Sequence, residues 1–169
     1  YLKRMLNLIR IKIDLRKIKP KNDFLIIFDI DDTLCENPLH QNKEIKEELI
    51  NIYKRLRFNE NIFYNLKKRY LKHDLIFLSA RNPRYKRITH KWLEGNLPQN
   101  KFNLFLCGHA KNKLAYLSDL KDKYMKIIYV DDLSYFVDGQ RCFYKDIIQY
   151  CENEEKIEYL GWSYISKYR

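Results

Sequence analysis

Asp29 and Asp31 stand two positions apart in Phe28-Asp29-Ile30-Asp31-Asp32-Thr33-Leu34, immediately after the apolar run Phe24-Leu25-Ile26-Ile27. Residues i and i+2 of a strand face the same side, so both carboxylates emerge where a buried strand ends and where open α/β sheets bind ligands. Like charges held that close call for a divalent cation and a phosphate. A solvated loop after a core strand would carry the same short string. Three later signals bear on the choice: Ser79-Ala80-Arg81 closes Leu75-Ile76-Phe77-Leu78, Lys113 opens a helical pattern after a third apolar run, and Asp131-Asp132 closes Ile127-Ile128-Tyr129-Val130. In a doubly wound sheet these strand ends share one edge, which gathers four carboxylates, a hydroxyl, a lysine and an arginine. That collection suits phosphoryl transfer. A hard cation takes carboxylate oxygens, water and substrate phosphate; one ionised Asp attacks phosphorus to give an aspartyl-phosphate, and a second Asp of higher pKa carries the proton. Lys111 competes with Lys113 for the lysine's place, while His109 reads as a loop residue and His73 and His90 show no metal-ligand spacing. A glycosyltransferase DxD would not explain Ser79 or Asp131-Asp132, and a response regulator would lack the i+2 partner.

Short apolar runs alternate with amphipathic stretches, the signature of a parallel sheet with crossover helices. Strands are predicted near residues 24–29, 74–79, 103–107, 126–131 and 142–146. Ile45, Leu49, Ile52, Tyr53 and Leu56 recur at helical spacing after Asn42, and Ile62, Phe63, Leu66, Tyr70 and Leu71 do so after Asn59 and Asn61. A third helix has Asn82 as cap, Pro83 in its first turn, Tyr85, Ile88, Trp92 and Leu93 as apolar stripe, and Gly95 as stop. A fourth begins near Asn112 and buries Leu114, Leu117 and Leu120. After Asp146 a helix runs through Cys151, then an aromatic piece carries Trp162, Tyr164 and Ile165.

A chain of 169 residues fits one domain, and 46% hydrophobic with 15% aromatic residues marks it globular despite 33% charged residues. Residues 1–22 are expected to form a basic extension and residues 23–169 a single domain, with room for only a small helical cap within 35–73. In the extension Leu2, Met5, Leu6, Ile9 and Ile13 can line one helix face, suited to a membrane surface, a partner, nucleic acid or the chain's own core. Cys35, Cys107, Cys142 and Cys151 form no CxxC pair. They read as free thiols of a reducing, intracellular compartment, cytoplasmic or organellar, and not of a secreted protein. No apolar run approaches the roughly 20 residues that span a bilayer, so membrane insertion is not expected. Tyr1 in place of methionine implies processing or trimming. The net charge of +11 concentrates in residues 1–21, 54–73 and 81–91, leaving the remainder acidic; such clusters suit a polyanion, because neutralised phosphates supply most non-specific nucleic-acid affinity.

Asp29-x-Asp31, Ser79, Lys113 and Asp131-Asp132, in this order, resemble the four motifs of the haloacid dehalogenase (HAD) superfamily of phosphatases across residues 24–146. The resemblance implies an α/β, HAD-like (Rossmannoid) three-layer fold with a mostly parallel five-stranded sheet and a minimal cap. It makes Asp29 the nucleophile and Asp31 the general acid/base. Asp29, the Asp31 backbone carbonyl and Asp132 would hold Mg²⁺ with Asp131 beside them, Thr33 would brace the loop, and Ser79 and Lys113 would bind the phosphoryl group. Asp32 stands where many members have glycine.

Ser79-Ala80-Arg81 followed by Arg84, Thr89, Lys91 and Trp92 is similar to the 3′-phosphatase domain of phage polynucleotide kinase/phosphatase. This likeness makes Arg81 a phosphate contact and the basic face of Arg84, Arg87 and Lys91 a border for nucleic acid. The expected function is Mg²⁺-dependent hydrolysis of 3′-phosphate ends. A nucleotide or small-molecule phosphatase is the enzymatic alternative, and a HAD-fold structural subunit of a nucleic-acid assembly the non-enzymatic one. The family's arginine after the first motif is missing from Cys35 to Asn42, and four glycines leave no phosphate-cradling kinase loop.

Overall fold

A computed structural model describes residues 2–36, 49–70 and 72–169, residues 2–8 by backbone alone. Its centre is a sheet of β1 (Phe24–Phe28), β2 (Asp74–Ser79), β3 (Asn103–Leu106), β4 (Lys126–Val130) and β7 (Ile157–Leu160) in the order β3-β2-β1-β4-β7, and every neighbouring pair is parallel. The order reverses between β1 and β4. That reversal leaves a crevice at the carboxyl ends of these two strands, the place where such sheets bind ligands.

Two helical layers follow from the alternation of the strands. Ile26 and Phe28 face α2 (Leu49–Arg55), α3 (Glu60–Arg69) and α4 (Lys86–Asn96), with Phe63, Leu66, Trp92 and Leu93 in the same buried cluster. Leu25 and Ile27 face the opposite cluster, built with α1 (Leu2–Arg16), α5 (Lys113–Leu120) and α6 (Lys145–Asn153) through Ile11, Leu15, Tyr116, Leu117, Ile147 and Cys151. The core helix α3 sits on the sheet, its Phe63 ring 5.4 Å from Phe28. Ile45, the Asn42 cap and Leu71 lie outside the described residues.

Three sequence expectations are corrected. The run at 142–146 is not the fifth strand of the sheet: β5 (Ser134–Val137) and β6 (Gln140–Phe143) form a separate antiparallel hairpin, and the fifth place belongs to β7. Asp138 and Gly139 have φ of 49° and 78°, the left-handed pair that a two-residue hairpin turn demands. The face of α1 is also different, since Ile9 and Ile13 are each 48% exposed whereas Ile11 and Leu15 are buried against α5. Asp14 on that buried face accepts a hydrogen bond from the Tyr116 hydroxyl at 3.0 Å. Finally, α4 passes Gly95 and ends at Asn96, while Asn82 caps a 3-10 turn at Pro83–Tyr85 that leads into α4. Among the described residues no helix is long and apolar enough to cross a membrane.

Candidate active site

Asp29 follows the last residue of β1 and keeps to the ladder, its amide donating to the Val130 carbonyl at 2.9 Å. The chain then turns tightly, with Asp32 at φ 60° and its amide donating to the Cys35 carbonyl at 2.7 Å. On the other side of the crevice β4 ends at Val130, and Leu133 at φ 46° swings the chain out into the hairpin while its amide donates to Asp131 Oδ1 at 2.8 Å. These two turns aim Asp29, Asp131 and Asp132 at one another. One carboxylate oxygen from each lies within 4.8 Å of the others, and all three residues are buried.

Lys113, in the first turn of α5, reaches into the cluster from below. Its Nζ lies 2.9 Å from Asp29 Oδ1 and 2.6 Å from Asp131 Oδ2, with its hydrogen bond given to Asp131, so Asp29 Oδ1 is ion-paired without accepting a hydrogen bond. Burial alone would discharge this lysine, yet Asp131 and Asp29 raise its pKa well above the ordinary value and keep it charged. The carboxylates feel the converse. Burial, then repulsion from Asp131, pushes Asp29 well above the usual carboxylate range against the pull of Lys113. Burial and Asp131 likewise lift Asp132 to about 6, although the hydrogen bond from Ser134 works the other way. Three buried carboxylates, two of them ion-paired to one ammonium, with an Asp29 oxygen that accepts no hydrogen bond, are a donor set of the kind a hard metal ion takes.

Asp31 is placed beside this cluster and held by Arg81. The guanidinium donates from Nε to Asp31 Oδ2 at 2.8 Å and from Nη2 to Asp31 Oδ1 at 2.7 Å, while Nη1 donates to Thr89 Oγ1 at 3.2 Å. It lies 4.0 Å from the centre of the Tyr53 ring and 5.8 Å from that of Trp92. Burial opposes its charge, but Asp31 more than compensates and raises its pKa above the ordinary arginine value. Arg81, the expected phosphate contact, lines the same cavity although it is only 4% exposed, and in this structure its donors go to Asp31 and Thr89.

Ser79 is buried at the end of β2, its Oγ accepting from the Arg81 amide at 3.2 Å. Thr33 binds Asp132 twice, donating to Oδ1 at 3.3 Å and accepting from the Asp132 amide at 3.2 Å. A cavity of about 380 Å³ opens above these groups, bordered by Asp29, Asp31, Ser79, Lys113, Asp132 and Arg84. Arg87 and Lys91 are exposed on α4 and do not border it, and Lys111 is exposed while Lys113 is buried. Sequence reasoning missed Arg141 of β6, whose Nη1 donates to Ser134 Oγ at 2.6 Å and to Asp132 Oδ2 at 3.4 Å beneath the Trp162 ring, 3.8 Å from its centre. It also missed the Tyr129 hydroxyl, which donates to Asp131. The hairpin signal Asp138-Gly139 was the available clue to the first; the period-2 alternation of β4 puts Tyr129 and Asp131 on one side.

No family model matches the chain, and no curated protein matches it. Solved structures do. A chain of the Pnkp1/Rnl/Hen1 complex is similar over 85% of this chain, with a TM-score of 0.52 and 15% identity, and a chain of the Pnkp1/Rnl/Hen1 RNA repair complex over 85%, with a TM-score of 0.53 and 14% identity. The class C acid phosphatase from Bacillus anthracis is similar at a TM-score of 0.48 and 19% identity over 90% of this chain and 73% of its own. The chain spans 47% and 43% of the two Pnkp1/Rnl/Hen1 chains, a little under half their length. The architecture shared with the two Pnkp1/Rnl/Hen1 chains is an α/β fold, in this chain a parallel five-stranded sheet between two helical layers, and its acidic cluster stands at the β1/β4 crevice.

Proposed function

We propose that this protein is a Mg²⁺-dependent phosphomonoesterase that works through an aspartyl-phosphate and acts on the 3′-phosphate ends of nucleic acid. One observation carries the reading: carboxylate oxygens of Asp29, Asp131 and Asp132 lie within 4.8 Å of one another, and the Lys113 ammonium pairs with the first two. Asp29, Asp132 and the Asp31 backbone carbonyl would hold Mg²⁺, with Asp131 behind them. When bound, the cation neutralises the carboxylates and the phosphoryl oxygens.

An Asp29 oxygen attacks phosphorus, and the bond from phosphorus to the ester oxygen breaks. Asp31 gives its proton to that leaving oxygen. Water then attacks the aspartyl-phosphate as Asp31 takes the water's proton, which returns Asp29 as carboxylate and releases inorganic phosphate. Lys113 pulls Asp29 toward its ionised form against burial and Asp131, which on balance still raise its pKa, and leaves the remaining neutralisation to a bound cation. Arg81 fixes the Asp31 orientation with two hydrogen bonds, and the Asp31 side chain remains 17% exposed at the cavity, the access through which its proton moves. Ser79 borders the cavity, where its hydroxyl would bind the phosphoryl oxygens. The basic face of Arg84, Arg87 and Lys91 supports a polyanionic substrate, as does the fold shared with chains of an RNA repair complex.

The test is release of phosphate, with Mg²⁺ present, from 3′-phosphorylated and 5′-phosphorylated oligonucleotides, mononucleotides and a phosphopeptide. The expected result is turnover of the 3′-phosphorylated strand, abolished by Asp29→Asn. Preference for mononucleotides would replace the substrate assignment with the small-molecule alternative; no turnover of any substrate by the parent would refute the enzymatic reading.

A further inference from the structure

The wall of the cavity on the β4 side is aromatic. Tyr135 of β5 and Tyr144, just after β6, both border the cavity, and their rings are 4.8 Å apart at 46°. Tyr135 is 38% exposed, although it stands only three positions beyond the buried Asp132. Its place is set by the chain itself: Leu133 at φ 46° turns the strand outward, Ser134 binds Asp132 through its amide at 3.1 Å, and the next residue of the hairpin then stands beside the acidic floor. Tyr144 secures the base of the hairpin, its amide donating to the Leu133 carbonyl at 2.9 Å. The opposite wall, which has Tyr53 and Tyr85, adds a cation. There the Arg84 guanidinium lies over the Tyr85 ring, 4.6 Å from its centre, and Arg84 itself is exposed at the cavity.

We propose that Tyr135, backed by Tyr144, is a stacking platform for the base of the nucleotide that carries the scissile phosphate, and that Arg84 across the cavity receives the next phosphate of the strand. The inference rests on the phosphatase reading above and names how that site would recognise its substrate. An exposed aromatic ring beside a phosphate site has a physical use in single-strand binding, because every base offers a π-face and stacking tolerates any sequence. The cationic group on the far wall complements it, since backbone phosphates supply affinity without base preference. The occupant is an unpaired end. A base paired in a duplex has its faces covered by neighbours, whereas a terminal nucleotide can unstack onto the protein.

The experiment compares three substrates: an oligonucleotide with a 3′-phosphate on an ordinary terminal nucleotide, the same strand ending in an abasic 3′-phosphate, and glycerol phosphate. For the parent, kcat/KM on the ordinary end should exceed that on the abasic end by about 10-fold or more, the scale of one stacked base. Tyr135→Ala should bring the ordinary end down to the abasic level while leaving the abasic end and glycerol phosphate unchanged, which also reports that the variant is folded. Tyr135→Phe should restore the preference, since the ring and not the hydroxyl does the stacking. Equal loss on all three substrates, or no loss on the ordinary end, overturns the platform. Anisotropy of labelled strands binding to Asp29→Asn, with and without Tyr135→Ala, reads the same preference without turnover. Base-dependent binding that requires Tyr135, in a protein that releases no phosphate, would refute the phosphatase reading and leave the platform standing.

Discussion

Replacing Asp132 by asparagine should stabilise the metal-free protein at neutral pH even though it removes a residue from the acidic cluster. The carboxyl sits at about 6 in the folded chain against an ordinary value of 3.8, because burial and the neighbouring Asp131 disfavour its charge. A group whose folded pKa is raised holds its proton more tightly folded than unfolded. Its contribution is therefore favourable below about pH 4 and is lost as pH rises through about 6. Above that window, keeping Asp132 ionised costs roughly 3 kcal/mol. Asparagine removes the charge but also weakens the bonds that Asp132 accepts from Thr33, Ser134 and Arg141, an offset of about 1 kcal/mol. The net gain is about 2 kcal/mol, or roughly 4–8 °C in Tm for a domain of this size.

The assay is thermal or urea denaturation of parent and Asp132→Asn with a chelator present, near neutral pH and again near pH 4. The variant should be the more stable at neutral pH, and the advantage should vanish in acid, where the parent carboxyl is protonated. Adding Mg²⁺ should reverse the order, because a cation bound only by the folded parent adds about 2.7 kcal/mol at a hundred times its Kd. A variant less stable than the parent at neutral pH without metal would refute the claim that Asp132 is held under electrostatic strain. Equal response of both proteins to Mg²⁺ would remove Asp132 from the proposed metal site.

The strands that carry this cluster are visible in the sequence because each is a run of large apolar residues that stops at a polar one. Phe24–Phe28 ends before Asp29, Lys126–Val130 before Asp131, and Asp74–Ser79 on the serine itself. The strand β7 escaped detection because it is short and lies at the sheet edge, where a charge is tolerated. Its Glu158 pairs with Lys126 at 3.1 Å and accepts a hydrogen bond from Tyr70, so a polar residue interrupts the apolar signal for a reason found only in its neighbours. Two helical stripes competed in α1, Ile9 with Ile13 and Ile11 with Leu15, and spacing cannot rank them. The partner of Asp14, a tyrosine 102 positions away, accompanies the second stripe into the core. Arg81 illustrates the same limit at the site. Its proximity to Ser79 was legible, but its pairing with Asp31 depends on the parallel register that sets Phe28 opposite Phe77 and carries the two following turns to the same edge.

Two substitutions test the charges that hold the site together. Lys113→Met should cost about 3–5 kcal/mol at neutral pH, since Asp29 and Asp131 would be left buried without their counter-ion; urea denaturation measures it, and a loss below about 1 kcal/mol would show that the ion pairs stabilise nothing. The loss should shrink in acid, because Asp29, whose pKa burial raises, then takes a proton in place of the ammonium. Arg81→Lys keeps the charge but not the fork. A lysine cannot give two parallel hydrogen bonds to Asp31 and a third to Thr89, nor lie flat against Tyr53. The expected outcome is a fall in stability of about 2 kcal/mol together with a reduced kcat at unchanged KM, because Asp31 would still be present in the cavity but no longer held in one orientation. A rise in KM with kcat intact would mean that Arg81 binds the substrate directly, and the bond to Asp31 would then be a resting contact that the phosphate displaces.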